Sequence, residues 1–525
     1  MSKATVVRFP AMALFMAAAV CGGACEDEES FTRDAALPDG YFGSSSPDAA
    51  VDAPSTRVEV DATVATPDAA VPDAAPPGRN FYLSPTGLDT NPGTREMPRK
   101  TISAAAAMAG AGDTIWLLDG TWDDTVDPNL FRDCMQPTAV FLDRGAVLRA
   151  VNPKQAGING KGNPLCVRTV TIADIRFSGN SVKSIDGQAT LENVTLEGPA
   201  GCGGSAAIDV SGTAKITLRN TATASVLGDN KVCAVGLARD SAELAVIGGT
   251  YFMVANGGAS GSGLFASSNS AKLSFDGVTV DGSGGGLVAI NMRAVPDTGL
   301  SIKDCTFVAL QNIAIVGPGQ DIELRLTNTT IRGAKDSGVR WSNGHVIAID
   351  SLFDGNGVPI LGASGLELRG TRVINSGFFG LTVSASSRPV VIENSEISGS
   401  AGHGIDIEGA GCKVKMRNTV IANNGNNGGV VLRCSGAGSE IDLGKVDDLG
   451  RNTFAAPRAN ASSVFNSTAA ATVFAVGNTW TPSVQGADAS GKYSAVGPGA
   501  VLEVATGVGA NFQLASGRLR LAENP

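Results

Sequence analysis

A loose repeat runs through most of this chain and decides what it can fold into. One short phrase recurs: an apolar residue, any residue, then Asn, Asp or Gly, two further residues, and an apolar or β-branched one. It reads Ile172-Ala-Asp174-Ile-Arg-Phe177 and Leu191-Glu-Asn193-Val-Thr-Leu196, and returns around Asn220, Gly248, Gly277, Asp304, Asn328, Asp350, Gly370, Asn394 and Asn418. The intervals are 19, 27, 28, 29, 27, 24, 22, 20, 24 and 24 residues. A period in this range marks a solenoid, whose repeats cannot bury an apolar face alone and must stack on their neighbours. A second phrase alternates with the first: Ser205-Ala-Ala-Ile208-Asp-Val210, Ser337-Gly338-Val339, Phe379-Gly380-Leu381-Thr-Val383, His403-Gly404-Ile405-Asp-Ile407 and Gly428-Gly429-Val430-Val-Leu432. Each is a small-residue turn followed by a strand alternating with period two. Two such strands per repeat and a third, less regular one describe a triangular coil. The expected architecture is an all-β parallel solenoid of about ten or eleven coils. Asn and Asp at the first phrase suit a bend, because they tolerate left-handed backbone and bond to nearby amides. They are read first as a structural ladder.

Sixty-seven Gly among 525 residues, 17% charged residues and 5% aromatics fit tight turns and short strands rather than helices. A formal net charge of −10 argues against a phosphate-tracking surface and excludes nucleic acid as the expected partner. The chain has nine Cys. Cys21 and Cys25 lie in the leader. Separations of 32, 31 and 22 residues within Cys134–Cys166, Cys202–Cys233 and Cys412–Cys434 are close to one coil, which brings side chains of adjacent rungs within bridging distance. Three disulfides and an oxidising compartment are expected. Cys305 is left over, inside the repeat phrase, and reads as a small buried residue.

Residues 1–25 carry a basic start (Lys3, Arg8), an apolar run from Ala11 to Val20 and then small residues, the layout of a secretory signal too short to span a membrane. The end, Gly22-Gly23-Ala24-Cys25, resembles a bacterial lipoprotein processing site, which implies a lipid on Cys25; ordinary cleavage with release of the protein is the alternative. Residues 26–79 turn to Ala, Pro, Asp and Val, a composition with too few large apolar side chains for a core, and are expected to form a disordered tether. Order is expected from Phe81, with a short capping helix near Thr101 or Ser103, and the solenoid over 80–500 followed by a tail or cap at 501–525.

The segment Ser84-Pro85-Thr-Gly87-Leu-Asp89, then Pro92-Gly93-Thr94, Lys100-Thr101-Ile102 and Gly112-Asp113-Thr114-Ile115 closing on Gly120-Thr121-Trp122, resembles the N-terminal cap of bacterial right-handed parallel β-helix proteins. More narrowly, it is similar to an exported family catalogued as a domain of unknown function within the pectate-lyase-like superfamily. Gly477-Asn478-Thr479-Trp480 through Gly491-Lys492-Tyr493 resembles that family's closing segment. The resemblance implies the fold and leaves the function open, since the superfamily includes polysaccharide lyases, hydrolases and members without known activity.

Lyases on this scaffold hold Ca²⁺ with clustered carboxylates and use Lys or Arg as base. Hard Ca²⁺ needs several oxygen ligands and the base a lowered pKa. Asp281, Asp304, Asp350, Asp354, Asp406 and Glu408 are available, but no pair has a spacing that defines a site. Asp350 falls at the bend, and Asp354-Gly-Asn-Gly reads as a turn. Gly402-His403-Gly404 matches one element of a glycoside-hydrolase signature, without the upstream acidic pair or the downstream basic motif. His345 and His403 lack partners at metal-ligand spacing. Asp350, Asp354, His403 and Asp406 therefore stand as candidates for an active face, with no metal or cofactor expected unless the chain is a Ca²⁺-dependent lyase. The favoured reading is an exported, lipid-anchored, non-catalytic envelope protein that contacts glycans or other envelope components and meets the membrane only through its anchor. The alternative is a polysaccharide-active enzyme, lyase before hydrolase.

Overall fold

The computed structural model describes residues 78–522 apart from short breaks, the longer of which are 198–205, 226–234, 255–262, 456–463, 482–493 and 506–512. The leader with Cys25, the segment 26–77 and the pair Cys202–Cys233 lie outside the described residues.

Three sheets, of 18, 15 and 15 strands, wind through the body. One coil illustrates the path. Leu300–Lys303 lies in the first sheet, Thr306–Val308 in the second and Ile313–Val316 in the third. The next coil repeats it with Glu323–Thr327, Thr330–Arg332 and Ser337–Arg340, each paired in parallel with its counterpart. Alternation turns every second residue inward. Within the second sheet Phe307, Ile331, Phe353, Val373, Ile397 and Ile421 stack in register. All are buried. This continuous column is what a single coil could not bury by itself. The helix is short, Ile102–Met108, and starts on Thr101, whose side chain accepts a hydrogen bond from the Ala104 N–H.

Every bend named by the first phrase has left-handed backbone, from Asp174 (φ 64°) through Asn220 (φ 49°) and Asp350 (φ 49°) to Asn418 (φ 50°). Asn and Asp bear this conformation at little cost, and at two of the Gly bends the rung below leaves no space for a side chain. A Cβ on Gly370 would meet Asp350 Oδ1 at 2.3 Å, and one on Gly248 would meet Asn220 Oδ1 at 2.5 Å. Each bend N–H donates to a carbonyl of the next coil, as Asp304 does to Thr327 and Asp350 to Arg369. Amide side chains add rungs: Asn193 Nδ2 donates to Asp174 Oδ1 (2.6 Å) and Asn328 Nδ2 to Asp304 Oδ1 (2.7 Å). The Asn328 bond first, and Lys303 second, hold the Asp304 carboxyl below the usual carboxylate range.

From Thr329 onward, the residue after the bend builds a second ladder inside the body. Thr329 N–H donates to Ser351 Oγ (3.2 Å), Ser351 N–H to Thr371 Oγ1 (3.4 Å) and Thr371 N–H to Ser395 Oγ (3.2 Å). Thr419 and Asn452 continue the pattern onto Asn452 Oδ1 and Asn478 Oδ1, each at 3.0 Å. Cys305 occupies this position in its own coil. Its thiol donates to Lys303 O (3.0 Å) and accepts from the Val278 N–H (3.4 Å), as a hydroxyl does elsewhere. It is a free, buried cysteine.

Two disulfides join neighbouring coils, Cys134–Cys166 and Cys412–Cys434, with Cα separations of 5.5 and 5.6 Å. Both were expected from coil spacing. Parallel pairing also runs past residue 500, through Ala500–Ala505 and Gly517–Ala522.

Candidate functional site

Asp350 sits at the corner between the first and second sheets, in the bend ladder. Asp354 ends the second-sheet strand Leu352–Asp354 and is engaged twice, by Asn375 Nδ2 (2.9 Å) and by Arg332 Nε (3.0 Å). His403 and Asp406 lie two coils further on, at the corner leading into the third sheet and on the strand Ile405–Ala410. Asp350 thus stands at one corner, while Asp354 enters the next, the corner that carries His403 two coils on, with Asp406 on the strand beyond it. His345 lies in the first sheet, on His345–Ile349, beside Arg388 Nη1 (3.3 Å). Burial, with the Arg388 charge second, pushes its pKa down. Among the described residues no group of three or more His, Cys, Asp and Glu side chains is placed to hold a metal ion.

What surrounds His403 is aromatic. The turn before the third-sheet strand Leu381–Ser384 carries Phe378, 62% exposed, and Phe379, 38% exposed. The Phe379 ring lies parallel over the His403 ring one coil on, centroids 5.4 Å apart and planes 9° from parallel. Gly402 makes this possible, since a Cβ there would come within 2.9 Å of the Phe379 ring. Gly380 is equally constrained: its Cβ would meet the Gly404 carbonyl oxygen at 2.1 Å. The Gly-His-Gly triplet that resembled a hydrolase motif is thus accounted for by packing around an aromatic step.

The step is rigid because its backbone is tied on both sides. Phe378 N–H donates to Gly357 O (2.9 Å), while Gly402 N–H donates to Phe378 O (2.6 Å) and Gly380 N–H to His403 O (2.8 Å). Buried amides brace the same corner in the coils on either side. Asn356 Oδ1 accepts from Ala334 N–H and its Nδ2 donates to Ile331 O; Asn424 does the same with Ser400 and Ile397. Beside the step, strand alternation buries Leu381, Val383, Ile405 and Ile407; on the other face Thr382 pairs in register with Asp406, which is itself buried, and Ser384 with the exposed Glu408. An exposed ring face next to hydroxyls and the Glu408 carboxylate can stack against the C–H face of a sugar while its hydroxyls find partners. Phe378 and Phe379 carry no acid or metal ligand that would mark them in the sequence. The signal was present as two adjacent aromatics in a turn of a chain poor in them.

Residues 313–448 match the family described as the right handed beta helix region. The β-helix body therefore has a recognisable sequence signature over the coils that hold the step. YwoF, an uncharacterized protein of Bacillus subtilis (strain 168), is 27% identical over 117 residues, covering 21% of this chain and 25% of that protein. The chain spans about a quarter of the length of the curated relative it matches. Among solved structures, a mannuronic acid specific polysaccharide family 6 lyase from human gut microbiota is 12% identical, with 73% of this β-helix chain and 88% of that one covered and a TM-score of 0.28. Tailspike protein 3 of bacteriophage CBA120 is 11% identical, with 84% and 61% covered and a TM-score of 0.28. Among the described residues no helix is long and apolar enough to cross a membrane.

Proposed function

We propose that this chain is an exported envelope protein that holds glycans on the aromatic step of Phe378, Phe379 and His403 without chemical turnover. The observation that carries the reading is the exposed Phe378–Phe379 pair on a backbone fixed from both sides. Leaving two phenyl rings in water forfeits burial free energy, about 1.5–3 kcal/mol for each ring if fully buried, and a bound sugar face recovers part of it. The engagement of Asp354 by Arg332 and Asn375, and of Asp350 in the bend, supports binding over a lyase reaction that uses these carboxylates. Residues 1–25 act as the signal, Cys25 carries the lipid and 26–79 form the tether that sets the β-helix away from the membrane.

The test is affinity electrophoresis of the full chain through gels containing neutral and acidic polysaccharides. Retention by at least one polymer is expected, weakened about tenfold or more in the Phe378→Ala/Phe379→Ala variant with an unchanged thermal midpoint. Equal retention of parent and variant rejects the step as the site. Release of unsaturated uronate products that stops with chelator would establish a lyase instead. For the anchor, Cys25→Ser is expected to move the protein from the detergent phase to the soluble fraction; if it stays membrane-bound, the lipid is not on Cys25.

A further inference from the structure

The N-terminal cap holds a concave site, independent of the aromatic step. Residues from the loop before the helix, its first turn and the stretch 125–140 wall a cleft of about 720 Å³. The Cys134–Cys166 disulfide fastens the outer wall to the third sheet. The bridge ties Cys134 covalently to the sheet, with the two Cα atoms 5.5 Å apart.

The acids of this neighbourhood are already used. Asp89 accepts from Lys100 N–H (3.1 Å), Thr101 N–H (2.8 Å) and Thr101 Oγ1 (2.9 Å). Asp127 is buried and accepts from Ser103 N–H (2.8 Å) and Ser103 Oγ (2.6 Å). The cations are not. Lys100 and Arg132 both line the cleft, both are partly buried, and neither forms an ion pair among the described residues. Arg132 is held by neutral groups, donating through Nη1 to Thr138 Oγ1 (3.1 Å) and through Nη2 to Asn129 Oδ1 (2.8 Å). The helix adds no free amide, since its first-turn N–H groups at Ser103 and Ala104 are taken by Asp127 and Thr101.

Asp89 is the one carboxylate in the lining, against two partly buried cations that form no ion pair among the described residues, so the cleft is net positive on a chain of net charge −10 and suits an arriving anion. The remaining lining is short and polar: Thr125, Asn129 and Thr138 offer hydroxyls and an amide. We propose that this cleft binds an acidic sugar, its oxyanion seated between Lys100 and Arg132 and its hydroxyls met by Thr125, Asn129 and Thr138. Carboxylate and phosphate share this chemistry.

The experiment titrates the full chain at low ionic strength with galacturonate, mannose 6-phosphate, mannose and inorganic phosphate, followed by ligand-observed NMR. At least one sugar anion should bind, with mannose at least about tenfold weaker, and whichever of the two anions binds tighter identifies the oxyanion. Lys100→Gln, at a side chain that forms no hydrogen bond or ion pair among the described residues, should weaken that anion about tenfold, and Arg132→Gln at least as much. Mannose binding as tightly as its phosphate overturns the charge argument. Inorganic phosphate binding as tightly as the sugar anions overturns the sugar. Unchanged affinity in Lys100→Gln with an unchanged thermal midpoint overturns the site.

Discussion

Replacing Arg417 by Ala should lower the stability of the C-terminal coils by about 3–5 kcal/mol, the cost of removing one partner from a buried charge network. The Arg417 side chain is 7% exposed. It sits beneath the stretch 443–450, which separates the strand Glu440–Asp442 from the bend at Arg451, where other coils pass straight from strand to bend. Its Nη2 reaches Asp442 Oδ1 and Oδ2 and Asp448 Oδ2, each at 2.8 Å, and its Nη1 donates to the Met416 and Asp442 carbonyls. Lys415 adds a second cation to Asp448 at 3.1 Å. Arg417 →Lys should fail to restore stability, because an ammonium cannot reproduce the planar fork. The effect also depends on pH. The Arg417 guanidinium, with Lys415 second, holds the Asp448 carboxyl well below the usual carboxylate range. A lowered carboxylate pKa contributes stability above the unfolded value, near 4, and loses it as pH falls toward the folded one. Parent and Arg417→Ala should therefore converge in acid. Thermal melts of both across pH 2–7 check this, and a constant gap would place the effect in packing rather than charge.

Trp341→Ala should cost a similar amount, about 3–5 kcal/mol, from a different cause. Trp341 is fully buried at the corner between the strands Ser337–Arg340 and His345–Ile349. Two glycines make its slot: a Cβ on Gly317 would come within 2.4 Å of the indole and one on Gly344 within 2.5 Å. Its Nε1 donates to the Ile322 carbonyl at 3.0 Å, which also accepts from the His345 N–H. Removing the ring leaves a cavity that these glycines cannot fill. Trp341→Phe should be milder, since a phenyl ring refills most of the slot, and in both variants the Ile322 carbonyl keeps the His345 N–H. Because each coil touches only its neighbours, the loss should be local, and hydrogen exchange ought to rise first in the coils on either side of Trp341. Uniform loss of protection along the body would contradict this.

The bends were legible because left-handed backbone leaves a mark in residue choice: Asp174, Asn193, Asn220 and their successors are residues that bear positive φ. Coil spacing also exposed Cys134–Cys166 and Cys412–Cys434, since a known rise makes one coil a bridging distance. The inner ladder was not legible. Thr329, Ser351 and Thr371 are residue types as common on surfaces as in cores, and only the fold turns them inward. Arg417 stands a whole coil from Asp442 and Asp448, so no local pattern joins them. The aromatic step combines residues 379 and 403 from different rungs, and His403 alone pointed toward an unrelated motif.

Cys305 gives the β-helix an internal clock. Burial pushes its thiol pKa up to about 11, so at neutral pH almost no thiolate exists for a reagent to find. Its sulfur is also tied to the Val278 and Lys303 backbone. Alkylation in the native state must therefore wait for adjacent rungs to part. The labelling half-time of this one sulfur measures how often the middle of the rod breathes, without any probe having to be introduced.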